Sequence, residues 1–159
     1  MYKGVGATLS IYNLTVDNSQ YSTGAITIQN GVDTIQVGWM DIYSGNWWLG
    51  VGPNATLIGF WPKKIFTSLA EYGSSVACGG QVYSPPGQSN PPMGSGFRPK
   101  MDTRYDAFCA YFNIVNIAHE IEPVMDVEEY SDYDTYKVKD WGVTKPMGHL
   151  VVYGGPNKP

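Results

Sequence analysis

A chain of 159 residues with a formal net charge of −4 suits one domain around one core, so residues 1–159 read as a single domain. No basic patch of the kind that neutralises phosphates stands out, which argues against nucleic acid as a partner. No apolar run approaches the ~18 residues of a membrane span, and the opening Met1-Tyr2-Lys3-Gly4 has no apolar stretch resembling a secretory leader. Nineteen Gly, eleven Pro and twelve Tyr indicate many turns and amphipathic strand residues, the signature of an all-β fold.

In chain order, Ala7, Leu9 and Ile11 alternate with Thr8, Ser10 and Tyr12, which predicts a half-buried strand. Ile26 and Ile28 alternate with Thr27 and Gln29 in a second. In a third, Ile35, Val37 and Trp39 share one face, and Thr34, Gln36 and Gly38 the other. The period of two therefore sends Gln36 to the polar face, and Gly38 beside it leaves room for a close approach to the backbone. Trp47-Trp48-Leu49 and Leu57-Ile58-Gly59-Phe60-Trp61 form a hairpin pair around Gly50–Asn54. Pro62 can open a helix, Ile65, Phe66, Leu69 and Ala70 follow helical spacing, and Gly73 fits its end. One short helix of about three turns is expected there. Trp39, Trp48, Phe60 and Phe66 are the aromatic residues expected in the core.

Next, Val76, Cys78, Gly80 and Val82 alternate with Ala77, Gly79, Gln81 and Tyr83. Gln81 thus faces away from the apolar set, as Gln36 does. Ser84–Pro92 is a Pro- and Gly-containing loop expected to be mobile. Tyr105–Ile117 is apolar on both faces and reads as a central strand, and Leu150-Val151-Val152-Tyr153 as the last.

Seven of the fourteen carboxylates lie in one stretch: Glu120, Glu122, Asp126, Glu128, Glu129, Asp132 and Asp134. An acidic solvated loop over about 118–135 is the expected form. Its spacing does not fit a calcium-binding loop. His119 with Glu120 and Glu122 does not make a convincing metal site, so no metal and no cofactor is expected. Gly94-Ser95-Gly96 lacks the spacing of a nucleophile elbow, and the Gly4-Val5-Gly6 and Gly50-Val51-Gly52 pairs lack a phosphate-loop context. Cys78 and Cys109 both lie in strand-like segments. Buried free thiols are the default, and a cross-strand disulfide in an oxidising compartment is the alternative. Asn13-Leu14-Thr15 and Asn54-Ala55-Thr56 fit the N-glycosylation pattern, which matters in a secretory glycoprotein.

Several segments, taken in order, carry a resemblance: Ile35-Gln36-Val37-Gly38-Trp39, Asn46-Trp47-Trp48-Leu49, Gly59-Phe60-Trp61-Pro62, Gly79-Gly80-Gln81-Val82, Met93-Gly94-Ser95-Gly96, Tyr111-Phe112-Asn113-Ile114 and Tyr153-Gly154-Gly155-Pro156. Together they resemble the neprosin-type glutamic peptidase domain of plants. The resemblance implies an antiparallel β-sandwich and secreted or vacuolar acid cleavage of proline-containing peptides. It implies a catalytic pair at positions 36 and 81, in a groove with Gly38, Trp39, Gly80 and Ser95. The family carries glutamate at both positions, and this chain carries Gln36 and Gln81. Phe97 also stands where the family usually has histidine. Only Met40–Gly45 separates the first motif from the Trp-Trp strand, where the family has several strands and a cysteine pair, so the chain is expected to be internally shortened.

Acid–base hydrolysis needs one carboxylate to take a proton and another to give it. A primary amide can orient water but has no useful pKa for that exchange. Two glutamines therefore predict an inactive peptidase domain that keeps a groove for proline-rich peptide. An active acid peptidase would need another base. Asp33, three residues from Gln36, falls on the opposite strand face, Asp41 points with the core set, and Glu71 sits on the expected helix. A truncated or engineered variant with no independent role is the remaining alternative.

Overall fold

The structure, a computed structural model, describes residues 1–36, 38–40 and 44–156, with strand placement alone at 38–40. Among these residues the chain is all-β, as composition predicts. Its strands are β1 (Gly4–Leu9), β2 (Tyr21–Asn30), β3 (Asp33–Gln36), β4 (Gly38–Met40), β5 (Trp47–Val51), β6 (Thr56–Trp61), β7 (Ser75–Tyr83), β8 (Met93–Gly94), β9 (Ala107–Val115), β10 (Ile121–Pro123), β11 (Lys137–Thr144) and β12 (Gly148–Gly155). No helix among the described residues is long and apolar enough to cross a membrane. The chain divides into two compact units: Met1–Gly6, Ile26–Ala77 and Asn113–Pro123 in one, Ala7–Ala25, Cys78–Phe112 and Val124–Pro159 in the other.

In the first unit, β4 pairs antiparallel with the start of β1, Gly4 opposite Trp39, and with β5, Trp39 opposite Trp48. β5 and β6 form a hairpin with an irregularity between Leu49 and Gly50. β3 pairs with β2, placing Ile35 opposite Ile28 and Gln36 opposite Thr27. Ile26, Ile28, Ile35, Trp47 and Leu69 are buried. The expected third strand pairs through β3 with β2 and through β4 with β1 and β5; Val37, between them, and the side chain of Trp39 lie outside the described residues. Of the other aromatics expected in the core, Trp48 and Phe66 are half-buried and Phe60 is 50% exposed. Trp47 takes the core position instead, donating its indole N–H to the Leu69 carbonyl at 2.8 Å. Two adjacent tryptophans on a strand must face opposite ways, and this buried hydrogen bond selects Trp47. Ile11 is likewise corrected: it lies beyond the end of β1 and is exposed.

The helix expected after Pro62 does not form. A single 3₁₀ turn spans Lys63–Ile65, and Phe66 is already extended. Competing partners for the backbone explain this. The Asp33 carboxylate accepts the N–H groups of Thr67 and Leu69 and the Thr67 hydroxyl. The Asn30 amide donates to the carbonyls of Ser68 and Tyr72. Groups that a helix would pair internally are bound instead to two side chains from β2 and β3.

In the second unit, β12 lies between β11 and β9, and β8 pairs with its end. Leu150, Val151, Val152 and Tyr153 are all buried, as expected of a strand covered on both faces. Met93, Ala107, Tyr136 and Tyr153 form a buried cluster, with Val82 and Val138 packed against it. The buried ionisable side chains Asp106 and His149 are partnered, as burial demands. Asp106 accepts the N–H groups of Lys100 and Asp102. The ring nitrogens of His149 face the Asp140 carboxylate, at 2.8 Å, and the Val124 carbonyl. The acidic stretch is tied down in part: Glu129 accepts the Asp140 N–H and the Lys139 ammonium, while Ile121–Pro123 is a strand rather than loop.

Cys78 and Cys109 form a disulfide, which corrects the expectation of free thiols. Alternation along β7 and β9 does not reveal which strands meet. Folding brings the two Cα atoms to 6.5 Å, inside the range a disulfide bridges.

Candidate functional site

Gln36 is the last residue of β3, and its side chain is exposed while the preceding Ile35 is buried. Period-two alternation produces this placement, as the sequence predicted. Gln81 lies near the end of β7 and is also exposed. Each glutamine belongs to a different compact unit, and each has its own local setting.

The setting of Gln36 is anchored by Asp33. Its carboxylate is held below the usual aspartate range, chiefly by the Leu69 N–H, with the Thr67 hydroxyl and N–H adding to the effect. Its acceptor oxygen is committed to these bonds, which hold the segment after the 3₁₀ turn. Glu71, another candidate base, is exposed and pairs with Lys63 at 3.1 Å. Asp41 and the side chains at Gly38 and Trp39, the first half of the expected groove, lie outside the described residues.

The setting of Gln81 is better defined. Gly80, expected in the groove, turns its side-chain direction inward. A Cβ there would collide with Met93 and crowd Tyr153. Its lack of a side chain therefore lets β7 lie close against the buried cluster, while Val82 packs on the same cluster. On the outward face, a Cβ on Gly79 would meet nothing within 4 Å. Gln81 follows in phase, and then Tyr83, whose ring stacks on Tyr21 with centroids 5.6 Å apart. Both tyrosines are exposed, at 47% and 44%. The result is an open strip of glycine, amide and stacked phenols along one strand face.

These tyrosines were missed as site residues, although the alternation already put Tyr83 in phase with Gln81. Tyr21 carried no such signal, since its approach to Tyr83 is tertiary. The loop after β7 is also more tied than its composition suggests. The Gln20 side-chain amide donates to the Ser84 hydroxyl and the Ser89 carbonyl.

Ser95 is half-buried, and its hydroxyl oxygen is buried without a partner among the described residues. The motif around it is chiefly a packing device. Met93 enters the buried cluster. Gly94 has a φ of +65°, and a Cβ there would press on Ala107 and the Tyr153 carbonyl. Gly94 and Met93 pair with Gly154 and Gly155, so two of the sequence motifs are joined by one antiparallel pairing.

As exposed amides, Gln36 and Gln81 can donate to and accept from a peptide backbone, but neither can exchange a proton with water near neutral or acidic pH. No group of three or more metal-binding side chains is assembled among the described residues. Comparison with protein families gives a match to the family described as Neprosin over residues 39–156. The matched span is most of the chain; it includes Gln81 and Ser95 and begins three residues after Gln36.

Proposed function

Because the chain belongs to the neprosin family, a peptidase-like family, we propose that it is a non-catalytic member that binds proline-containing peptide. The observation carrying this reading is the pair of exposed amides, Gln36 and Gln81, at the positions where the resemblance implies catalytic glutamates. One carboxylate must be ionised and the other protonated for acid hydrolysis; two amides supply neither state. The outward strip of β7 supports peptide binding. Gly79 leaves the strand face open, Gln81 offers a donor and an acceptor, and the stacked Tyr21 and Tyr83 offer the kind of aromatic surface on which proline rings pack. The expected groove residues Gly38, Trp39, Gly80 and Ser95 belong to this reading, with Gly80 acting by letting β7 seat against its core.

An active peptidase using another base is less well supported. Asp33 is occupied by backbone and hydroxyl donors, and Glu71 by Lys63. The proposed setting is an oxidising compartment of the plant secretory route, or the space beyond it, in keeping with the Cys78–Cys109 disulfide.

The test is cleavage of proline-containing peptides across acidic to neutral pH. The unmodified protein is expected to show none. Gln36→Glu with Gln81→Glu is expected to gain acid-pH cleavage, with each single change gaining less. Cleavage by the unmodified protein would overturn the non-catalytic reading, and its loss on Asp33→Asn or Glu71→Gln would name the base. Peptide affinity, read by tyrosine fluorescence, is expected to fall on Gln81→Ala.

A further inference from the structure

The β5–β6 hairpin carries a feature that peptide binding does not use. Its tip is the four-residue turn Gly52–Ala55, closed by the Ala55 N–H donating to the Gly52 carbonyl at 3.0 Å and by the pairing of Val51 with Thr56. Asn54 sits in that turn, followed by Ala55 and Thr56, and all three are exposed. The Asn54 carboxamide and the Thr56 hydroxyl have no hydrogen-bond partner among the described residues. Around the tip, Val51, Leu57 and Ile58 are 55%, 55% and 63% exposed. β6 pairs with β5 alone among the described residues, so an apolar strand edge lies open beside the asparagine. Exposed apolar edges of this kind template association unless something covers them.

We propose that Asn54 is an N-glycosylation site whose glycan covers the apolar tip and outer edge of this hairpin. Three independent observations converge on it. The acceptor triplet has Ala, not Pro, at its centre. The turn presents the carboxamide to solvent and uses it for nothing else. The Cys78–Cys109 disulfide belongs to the oxidising compartment in which such glycans are added. In the transfer, the Asn54 Nδ2 forms a bond to the anomeric carbon of a polyprenyl-diphosphate-linked oligosaccharide. The bond from that carbon to the diphosphate oxygen breaks, the polyprenyl diphosphate leaves with the electron pair, and Nδ2 loses one proton. Nothing is oxidised or reduced. Asn13 heads a second triplet, but its central Leu14 is half-buried and it lies outside any strand, so it borders no open strand edge and Asn54 is the site whose glycan changes how the protein behaves.

The experiment takes the full chain produced through the secretory pathway of plant cells. Peptide mapping after enzymatic glycan release should find deamidation at Asn54. Thr56→Ala should abolish it and Thr56→Ser should retain it; an unmodified Asn54 in the secreted protein overturns the proposal. Covering of the edge is read by sedimentation. Enzymatic removal of the glycan from the folded protein should shift it from monomer towards self-association. Leu57→Ser with Ile58→Ser should reverse that shift. Deglycosylated protein that sediments as the glycosylated form does would overturn the covering role. Because the glycan is removed after folding, the deglycosylation arm does not depend on a variant reaching the native state.

Discussion

Strand β12 buries Leu150, Val151, Val152 and Tyr153 in succession, whereas β6 leaves Leu57, Ile58 and Phe60 between 50% and 63% exposed. Both segments are short, apolar and bounded by turns, and by composition they are the same kind of strand. They differ in their neighbours. β12 has β11 on one side, β9 on the other and β8 at its end. β6 has only β5 among the described residues. Burial of an apolar strand is thus set by how many elements meet it, and hydrophobicity alone does not report that number. The hairpin is held to its unit from one end instead: Trp47 is fully buried and hydrogen-bonded to Leu69, while the rings of Trp48 and Phe60 meet at a tilt of 37°, centroids 4.9 Å apart, on the outer side.

The sharpest way to break this comparison uses one substitution at two places. Leu150→Ala should cost about 2–5 kcal/mol, the range for a leucine removed from a packed core. Leu57→Ala should stay within about 0.5 kcal/mol, as surface changes do. Denaturant midpoints decide it, and equal losses would mean that the hairpin is covered in solution. Next in size is the disulfide, which belongs to the well-packed side of the comparison. With the two cysteines 31 positions apart in sequence, removing the cross-link by Cys78→Ala with Cys109→Ala should cost about 3–4 kcal/mol on loop-entropy grounds. A midpoint unmoved by the double change would show that the strands around β12 hold without it.

The smallest effect concerns the unit that contains the hairpin and follows from Asp33. Its folded pKa is depressed, first by the Leu69 N–H. The stability it contributes is therefore fully present above the unfolded value of about 3.9 and is lost as pH falls through the lower folded value. Wild-type stability should decline more steeply below about pH 4 than that of Asp33→Asn, which has no charge to lose there. Parallel curves in urea melts across that window would show that the carboxylate does not hold the Phe66–Ala70 segment.

The chemistry of the candidate site was legible early because it depends on residue identity and on a period of two. Gln36 and Gln81 are amides wherever they lie, and alternation with Ile35 and with Val82 sends both outward. The packing meaning of Gly80 and Gly94 was not legible, because the atoms that would collide with a Cβ come from Met93, Ala107 and Tyr153, distant in sequence. The same holds for Tyr21, which becomes part of the Gln81 strip only through stacking on Tyr83. β11 escaped notice for a related reason: its Lys137, Lys139 and Asp140 weaken the apolar alternation, and it is a strand because β12 offers it a ladder.

What the sequence by itself determined is therefore local: the all-β class, from turn residues and alternation; the outward phase of the two glutamines; and the inability of an amide pair to move protons. What the tertiary structure decided is every outcome that required a partner. It chose Trp47 over Trp48 for the core by offering the Leu69 carbonyl. It replaced the expected helix with an extended segment by supplying Asp33 and Asn30 to the backbone. It joined Cys78 to Cys109. The physical reason is common to all three. Backbone and side-chain groups take the best partner within reach, and reach is fixed by the fold, not by separation along the chain.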